Sequence, residues 1–325
     1  MQPKFWKKRS ALSLALMPLS VLYSIASFLR PFLTSRYRAS ATIICVGNVT
    51  VGGAGKTPIV LAITELLSIK GMKVAIASRG YKGDIKQPTL VDKNKHTVNS
   101  VGDEPLMLTR IAPTYIAAKR PLAISMAEKS GANIIIMDDG MQNPTVAKDL
   151  TLLVIDGKYG IGNSLIMPAG PLREGISNGV KRADAVILIG ADETGILQHK
   201  ALQTKPSIPT IRAKLVPCGE IPDKTRPYLA FAGIGNPDKF FSTLAASGYN
   251  VIGEVPFPDH YNYTDADINT LINKAENLGA ELITTQKDEV RLPIFASKKI
   301  RVLTVKIAWE DETQITNLLD NLIKK

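Results

Sequence analysis

An apolar run, Ile43–Val46, leads directly into Gly47-Asn48-Val49-Thr50-Val51-Gly52-Gly53-Ala54-Gly55-Lys56-Thr57-Pro58 and then into a helical apolar stretch from Ile59 to Leu67. Strand, glycine-rich loop and helix in that order is the context a P-loop requires. Glycines let backbone N–H groups turn inward around phosphate oxygens, and the start of the helix adds its own unpaired amides. A lysine at position 56 reaches the β- and γ-phosphates of a nucleotide, and the Thr57 hydroxyl holds Mg²⁺. Thr50, Val51, Gly52, Gly53, Ala54, Gly55, Lys56 and Thr57 are therefore the candidate nucleotide-binding loop. Thr50 stands where such loops usually have their first glycine. The Gly-Gly-x-Gly-Lys-Thr form also occurs in membrane-recruited, dimeric ATPases that partition cell-division machinery, but their signature Lys falls on Val51 here.

A P-loop needs an acidic partner to hold or orient its metal. The run Ile134–Met137 delivers Asp138 and Asp139 at its C-terminal end, the position of a Walker B acid. Two arginines are further phosphate-binding candidates: Arg79 in Ser78-Arg79-Gly80-Tyr81, and Arg173 in Gly170-Pro171-Leu172-Arg173-Glu174. A kinase must also position or deprotonate its acceptor hydroxyl, and His has the side-chain pKa best suited to that near neutrality. Of 3 histidines, His96 sits in a turn between lysines and His199 precedes Lys200 in a proline-rich stretch. His260, in Phe257-Pro258-Asp259-His260-Tyr261, follows a predicted strand. Asp103, in Val101-Gly102-Asp103-Glu104-Pro105, is the candidate carboxylate to pair with it.

Short apolar runs alternate with helix-length segments from Thr42 onward: Ile43–Val46, Val74–Ala77, Ile134–Met137, Leu152–Ile155 and Ala185–Ile189 read as buried strands. The pattern predicts an α/β fold, a P-loop NTPase-like, mostly parallel sheet covered on both faces. Gln198–Asp223 carries Pro206, Pro209, Pro217 and Pro222 and reads as a linker or edge hairpin. A second set of strands follows at Tyr228–Ala232, Asn250–Val255, Leu282–Thr285 and Val302–Val305. The expected organisation is an N-terminal membrane-associated helix over 1–38, a P-loop core over 39–205 and a smaller α/β subdomain over 206–325.

The N-terminus is the compositional anomaly. Ala11 to Leu29 is uncharged, with Lys4, Lys7, Lys8 and Arg9 before it and Arg30, Arg36 and Arg38 after it. No small-residue cleavage site follows, which argues against a signal peptide. Positive charge on both flanks gives a spanning helix no clear orientation. At about 100° per residue, Ser13, Ser20, Ser24 and Ser27 fall within about 60° of one another on an otherwise apolar helix. Such a helix with basic ends suits the headgroup boundary of an anionic leaflet, and Pro18 kinks or splits it. The competing reading is a core helix whose serines face a small-residue contact.

The balance of 40 Lys+Arg against 29 Asp+Glu, a formal +11, favours anionic partners. No basic run interleaved with aromatics, zinc-finger pattern or RNP pattern occurs, so nucleic acid is not an expected partner. No obligate protein partner is evident either. Only Cys45 and Cys218 are present, so a disulfide framework and a cysteine metal site are excluded.

Seven blocks together resemble, in order, those of the tetraacyldisaccharide 4'-kinase family. They are Gly47-Asn48 with the P-loop, Ser78-Arg79-Gly80-Tyr81, Val101-Gly102-Asp103-Glu104-Pro105, Asp138-Asp139-Gly140, Gly170-Pro171-Leu172-Arg173-Glu174, Phe231-Ala232-Gly233-Ile234-Gly235-Asn236-Pro237 and Phe257-Pro258-Asp259-His260. The resemblance implies ATP and Mg²⁺, with an acylated glucosamine disaccharide 1-phosphate lipid of lipid A biosynthesis as acceptor at its 4'-hydroxyl. It also implies an N-terminal helix resting on the cytoplasmic face of the inner membrane, peripheral or monotopic. By the same resemblance, Asp103 and His260 form an acid–base dyad, and Asp138, Asp139 and Glu174 are the metal-side acids; with Asp103 in the first predicted domain and His260 in the second, the pair is expected to form only on domain closure. Ser78, Arg79 and Arg120, with Gln142 and Arg173, are candidates for substrate contact. Asn143 and Gln286 depart from the family pattern, which has His and Glu there.

The alternative from another class is a switch ATPase whose nucleotide state controls membrane recruitment of a partner. A GTPase is disfavoured because no Asn-Lys-x-Asp base-reading motif occurs.

Overall fold

The Ile- and Val-rich runs become strands because they are buried on both faces. In the computed structural model, residues 3–205, 207–296 and 299–324 are described. Met1 and Gln2 of the expected N-terminal segment and Pro206 of the expected linker lie outside the described residues. The strands are β1 (Thr42–Gly47), β2 (Val74–Ser78), β3 (Thr89–Leu90), β4 (Thr114–Ile116), β5 (Ile134–Asp138), β6 (Leu150–Asp156), β7 (Ala185–Ile189), β8 (Thr210–Pro217), β9 (Pro227–Ala232), β10 (Asn250–Pro256), β11 (Glu281–Thr285), β12 (Ile300–Leu303) and β13 (Val305–Trp309). They form two sheets, ordered β13-β8-β7-β6-β1-β5-β2-β4-β3 and β10-β9-β11-β12.

In the larger sheet β1 runs parallel between β5 and β6, with Val46 opposite Asp138 and Gly47 opposite Leu153. Alternate residues of each strand feed opposite cores, as the two-residue period of a strand requires. Ile43, Cys45, Ile135 and Met137 pack on one face with Ile124 and Val180. Ile44, Val46, Ile136 and Val154 pack on the other with Ile59, Ile63 and Leu67. The chain reaches β2 on one side of β1 and crosses back over it from β5 to β6. That reversal opens a crevice at the carboxyl ends of β1 and β5, where open α/β sheets bind ligands.

The chain divides into a larger unit, Pro3–Leu215 with the segment from Ile307 onward, and a smaller unit, Val216–Lys306. The expected boundary near 205 differs from this division in two respects. Ile211, Ala213 and Leu215 alternate with Arg212 and Lys214, so the proline-bearing stretch supplies β8 to the larger sheet. The C-terminal helix (Glu312–Ile323) does not belong to the smaller unit, because Ile315 and Leu319 are buried in the same core as Ile59 and Ile63. Within the smaller unit, the parallel sheet of β9 to β12 carries helix Pro237–Ala246 on one face and Asp265–Asn277 on the other.

The N-terminal segment forms α1 (Ala11–Ala15) and α2 (Met17–Leu29), separated at Leu16. Pro18 lies in the first turn of α2, where its missing N–H costs nothing. The serine stripe faces the protein: Ser13 and Ser20 are buried, whereas Leu22 and Phe28 are 65% and 66% exposed. The contact expected of a core helix therefore coexists with an outward apolar face. Among the described residues no helix is long and apolar enough to cross a membrane.

Candidate functional site

The loop after β1 is built as a cradle. Val49–Val51 is braced by the segment Pro171–Arg173: the Val51 N–H donates to Pro171 O at 2.8 Å, the Arg173 N–H donates to Val49 O at 2.8 Å, and Thr50 bridges Leu172. This pairing gives Thr50 its place where other P-loops have glycine. Gly55 is the N-cap of α3 (Lys56–Ile69) at φ +83°, and a Cβ there would lie 2.6 Å from Ile189 Cδ1. A side chain at 55 is thus disfavoured by conformation, and would also require the Ile189 methyl to shift. Lys56 Nζ donates to Asn48 Oδ1 at 3.0 Å and lies 3.5 Å from Asp139 Oδ1. Asn48 is fully buried and donates in turn to Thr50 Oγ1.

Asp138 ends β5, and Asp139 follows in the left-handed region at φ +51°. The two carboxyls are driven apart. Burial pushes Asp139 up, but Lys56 and Arg173 outweigh it and hold the group down to about 2. Arg173 Nη1 donates to both Asp139 oxygens, at 2.9 and 3.0 Å. Burial, with Glu104 and Asp139 as like charges, pushes Asp138 up to about 7 against Lys56 and Arg120. Arg120 is buried and donates through Nη2 to Asp138 O at 2.8 Å. Its Nε and Nη1, and Asp138 Oδ1, are buried without a hydrogen-bond partner among the described residues. Glu174 is ion-paired with Arg182 and accepts from Gln142 Nε2 at 2.9 Å, and the same Nε2 donates to Asn48 O at 2.7 Å.

Among the described residues no group of three or more His, Cys, Asp or Glu side chains forms a metal cage. Asp139 and Glu174 are instead engaged by cations. The Asp138 oxygen without a partner, at the end of the strand beside the P-loop strand, suits Mg²⁺, which takes one or two protein oxygens and completes its shell with phosphates and water.

The remaining candidates fall at strand ends. Ser78 is buried at the end of β2 and Arg79 is exposed just beyond it. Gly80 and Gly102 let the 79–81 and 101–103 loops abut: a Cβ on Gly102 would lie 2.5 Å from Tyr81 O. Asp103 is buried at the start of helix Asp103–Leu108, where its Oδ1 accepts from the Glu104 N–H at 2.9 Å. All of these belong to the larger unit, and His260 belongs to the smaller.

His260 adopts φ +61°, with its N–H donating to Gly233 O at 2.9 Å and its Nε2 3.8 Å from Asp259 Oδ1. Its loop is fixed by a buried network. Asp288 Oδ1 accepts from the Gly233 N–H at 2.8 Å and from Tyr263 OH at 2.7 Å, while Arg291 Nη1 donates to Gly233 O at 2.8 Å and Tyr261 O at 3.2 Å. Burial, then the Asp288 charge, pushes the Tyr263 phenol well above its usual range.

Asn48, Glu104 and Arg182 also join the site, although no motif of the sequence assigns them to it. Asn48 carried a signal, a polar residue at the end of a buried strand, but the partners of Glu104 and Arg182 exist only in the folded chain. At the departures from the family pattern, Asn143 Oδ1 accepts from the Thr145 N–H and hydroxyl, and Gln286 opens a short helix capped by Thr285.

The chain matches the family model described as tetraacyldisaccharide-1-P 4'-kinase over residues 12–324. It is similar to the tetraacyldisaccharide 4'-kinase of Paramagnetospirillum magneticum, 44% identical over 98% of both chains. It is also similar to that of Rhodospirillum rubrum, 42% identical over 99% of this chain and 97% of the relative. Its fold matches the crystal structure of apo-form LpxK from Aquifex aeolicus in complex with ATP, with a TM-score of 0.78 and 27% identity over 96% of this chain and 99% of that one. The chain therefore belongs to the tetraacyldisaccharide 4'-kinase family.

Proposed function

We propose that this kinase of the lipid A precursor transfers the γ-phosphate of ATP from the Lys56 loop to the 4'-hydroxyl of a tetraacylated glucosamine disaccharide 1-phosphate. The observation that carries the proposal is the convergence of the glycine-rich loop, Lys56, the Asp138–Asp139 pair and Arg173 at the carboxyl ends of β1 and β5. Phosphoryl transfer asks a protein mainly for positioning and charge neutralisation. Lys56 and the loop amides offset the charge on the phosphates. Arg173 and Arg120 bring two further cations, and Arg173 is held in place by Asp139.

Thr57 and Asp138 would hold Mg²⁺; Asp139 and Glu174, the other expected metal-side acids, would reach it only on release from Arg173 and Arg182. When bound, the ion would supply charge neutralisation at the transferred phosphate. Ser78, Arg79, Arg120, Gln142 and Arg173 are assigned to substrate contact. Asp103 and His260 are assigned as the pair that orients the 4'-hydroxyl and takes its proton. The exposed apolar face of α1 and α2, with its basic flanks, suits a peripheral seat on the cytoplasmic face of the inner membrane.

The test of the dyad is turnover. Asp103→Ala and His260→Ala are each expected to lower kcat by about 10²-fold or more while leaving ATP affinity within about twofold. Intact turnover in both variants would remove the assigned roles.

A further inference from the structure

The serine face of α2 does not end in a generic helix contact. Ser20 Oγ donates to Ile166 O at 2.7 Å and accepts from the Ala169 N–H at 3.2 Å. The preceding turn joins the same loop: Trp6 Nε1 donates to Pro168 O at 3.0 Å, the Asn163 N–H donates to Trp6 O at 2.8 Å, and Asn163 Nδ2 donates to Phe5 O at 3.0 Å. Asn163 Nδ2 also reaches Ala169 O at 3.0 Å, tying the two ends of the loop together. The approach is close enough that a Cβ on Gly162 would fall 2.5 Å from Trp6 O.

That loop is the outer layer of the nucleotide cradle. Leu172 is held from one side, its N–H donating to Leu165 O at 3.0 Å and its carbonyl accepting from the Met167 N–H at 2.8 Å. From the other side it bridges Thr50, and its neighbours Pro171 and Arg173 bond Val51 and Val49. A continuous run of hydrogen bonds thus passes from Ser20, through residues 163–172, to the backbone of the P-loop. Arg173, which grips Asp139, is the next residue in the chain.

We propose that Ser20 is a positioning residue for the nucleotide, and that the N-terminal helix braces the ATP site through the 163–172 loop as well as meeting the membrane. Without the Ser20 hydroxyl, the buried Ala169 N–H on the loop loses its partner and the half-buried Ile166 carbonyl keeps only the Gly170 N–H. The brace on Val49–Val51 then loosens, and the P-loop must be ordered by ATP itself. The opposite face of the same helix is exposed, so its contacts and those of Ser20 are separable by mutation. The proposal rests on the reading of Thr50–Thr57 as the nucleotide loop.

The experiment is calorimetric titration of the full chain with ATP, alongside KM for ATP and for the lipid acceptor in micelles. Ser20→Ala is expected to raise both Kd and KM for ATP about three- to tenfold, with the KM for lipid unchanged. Ser20→Thr, which keeps the hydroxyl, is expected to restore ATP affinity. Leu22→Ser, on the exposed face, is expected to leave ATP affinity unchanged. Trp6→Phe, which removes the bond to Pro168 O and keeps an aromatic ring, is expected to shift ATP affinity in the same direction and serves if Ser20→Ala does not fold. Unchanged ATP affinity in the serine variant, or an equal shift in Leu22→Ser, would overturn the proposal. Lys56→Ala separates the two readings. If it leaves ATP affinity intact, the nucleotide loop has been misassigned. If it weakens ATP and Ser20→Ala does not, only the role of Ser20 fails.

Discussion

Asp138 and Asp139 are neighbours in sequence and opposites in chemistry. Asp139 is held down to about 2, so its ion pairs add stability above the ordinary carboxylate range, and that stability is lost as pH falls from about 4 towards about 2. Asp138 is raised to about 7, so between about pH 4 and pH 7 the folded chain binds the extra proton and stability falls as pH rises. Without metal or nucleotide, Asp138→Asn is therefore expected to melt higher than the parent at about pH 8, by a few °C or more. The gap should close as pH falls towards about 4, and thermal melts across that range check it. An equal gap at every pH would mean that Asp138 is not held protonated in the fold. At this scale the sequence was legible where chemistry is local: the loop lysine, the threonine and the paired acids follow directly from strand ends. Glu104 and Arg182 are not legible, because their roles depend on which side chains the fold brings against Asp138 and Glu174.

The N-terminal helices show how far periodicity carries. Their break before Pro18 and their serine stripe are readable from spacing, but spacing alone does not say which side meets the protein. Ser20 turns inward because the 163–172 loop offers it a carbonyl and an N–H, and the leucines are left outside. Replacing two of them, Leu22→Ser with Phe28→Ser, removes about 3–6 kcal/mol of available apolar burial. Association of the full chain with anionic vesicles is expected to weaken by at least about tenfold, measured by flotation. Binding equal to the parent's would mean that this face does not meet lipid. β8 was read ambiguously for the opposite reason: its flanking prolines signal a linker, whereas the alternation of Ile211, Ala213 and Leu215 signals a strand, and packing decided for the strand.

For the molecule as a whole, the alternating strands announced a parallel α/β sheet and a second set of strands. The return of the chain from Leu303 into β13 and the last helix was hidden, because an amphipathic helix does not name the sheet it covers. The smaller unit has its own polar anchor in Asp288, Arg291 and Tyr263, buried beneath the loop of His260. Tyr263→Phe deletes one hydrogen bond to a charged acceptor and is expected to cost about 1.5–3 kcal/mol in urea unfolding. A loss below about 0.5 kcal/mol would mean that Tyr263 does not hold that anchor together.

Lys56 and its loop deliver a phosphate to a lipid. The most direct measurement is transfer of label from γ-labelled ATP to a tetraacylated disaccharide 1-phosphate in detergent micelles, parent chain beside Lys56→Ala. Labelled lipid from the parent that disappears in the variant is the expected result. Release of inorganic phosphate without labelled lipid, or labelling that survives Lys56→Ala, would contradict it.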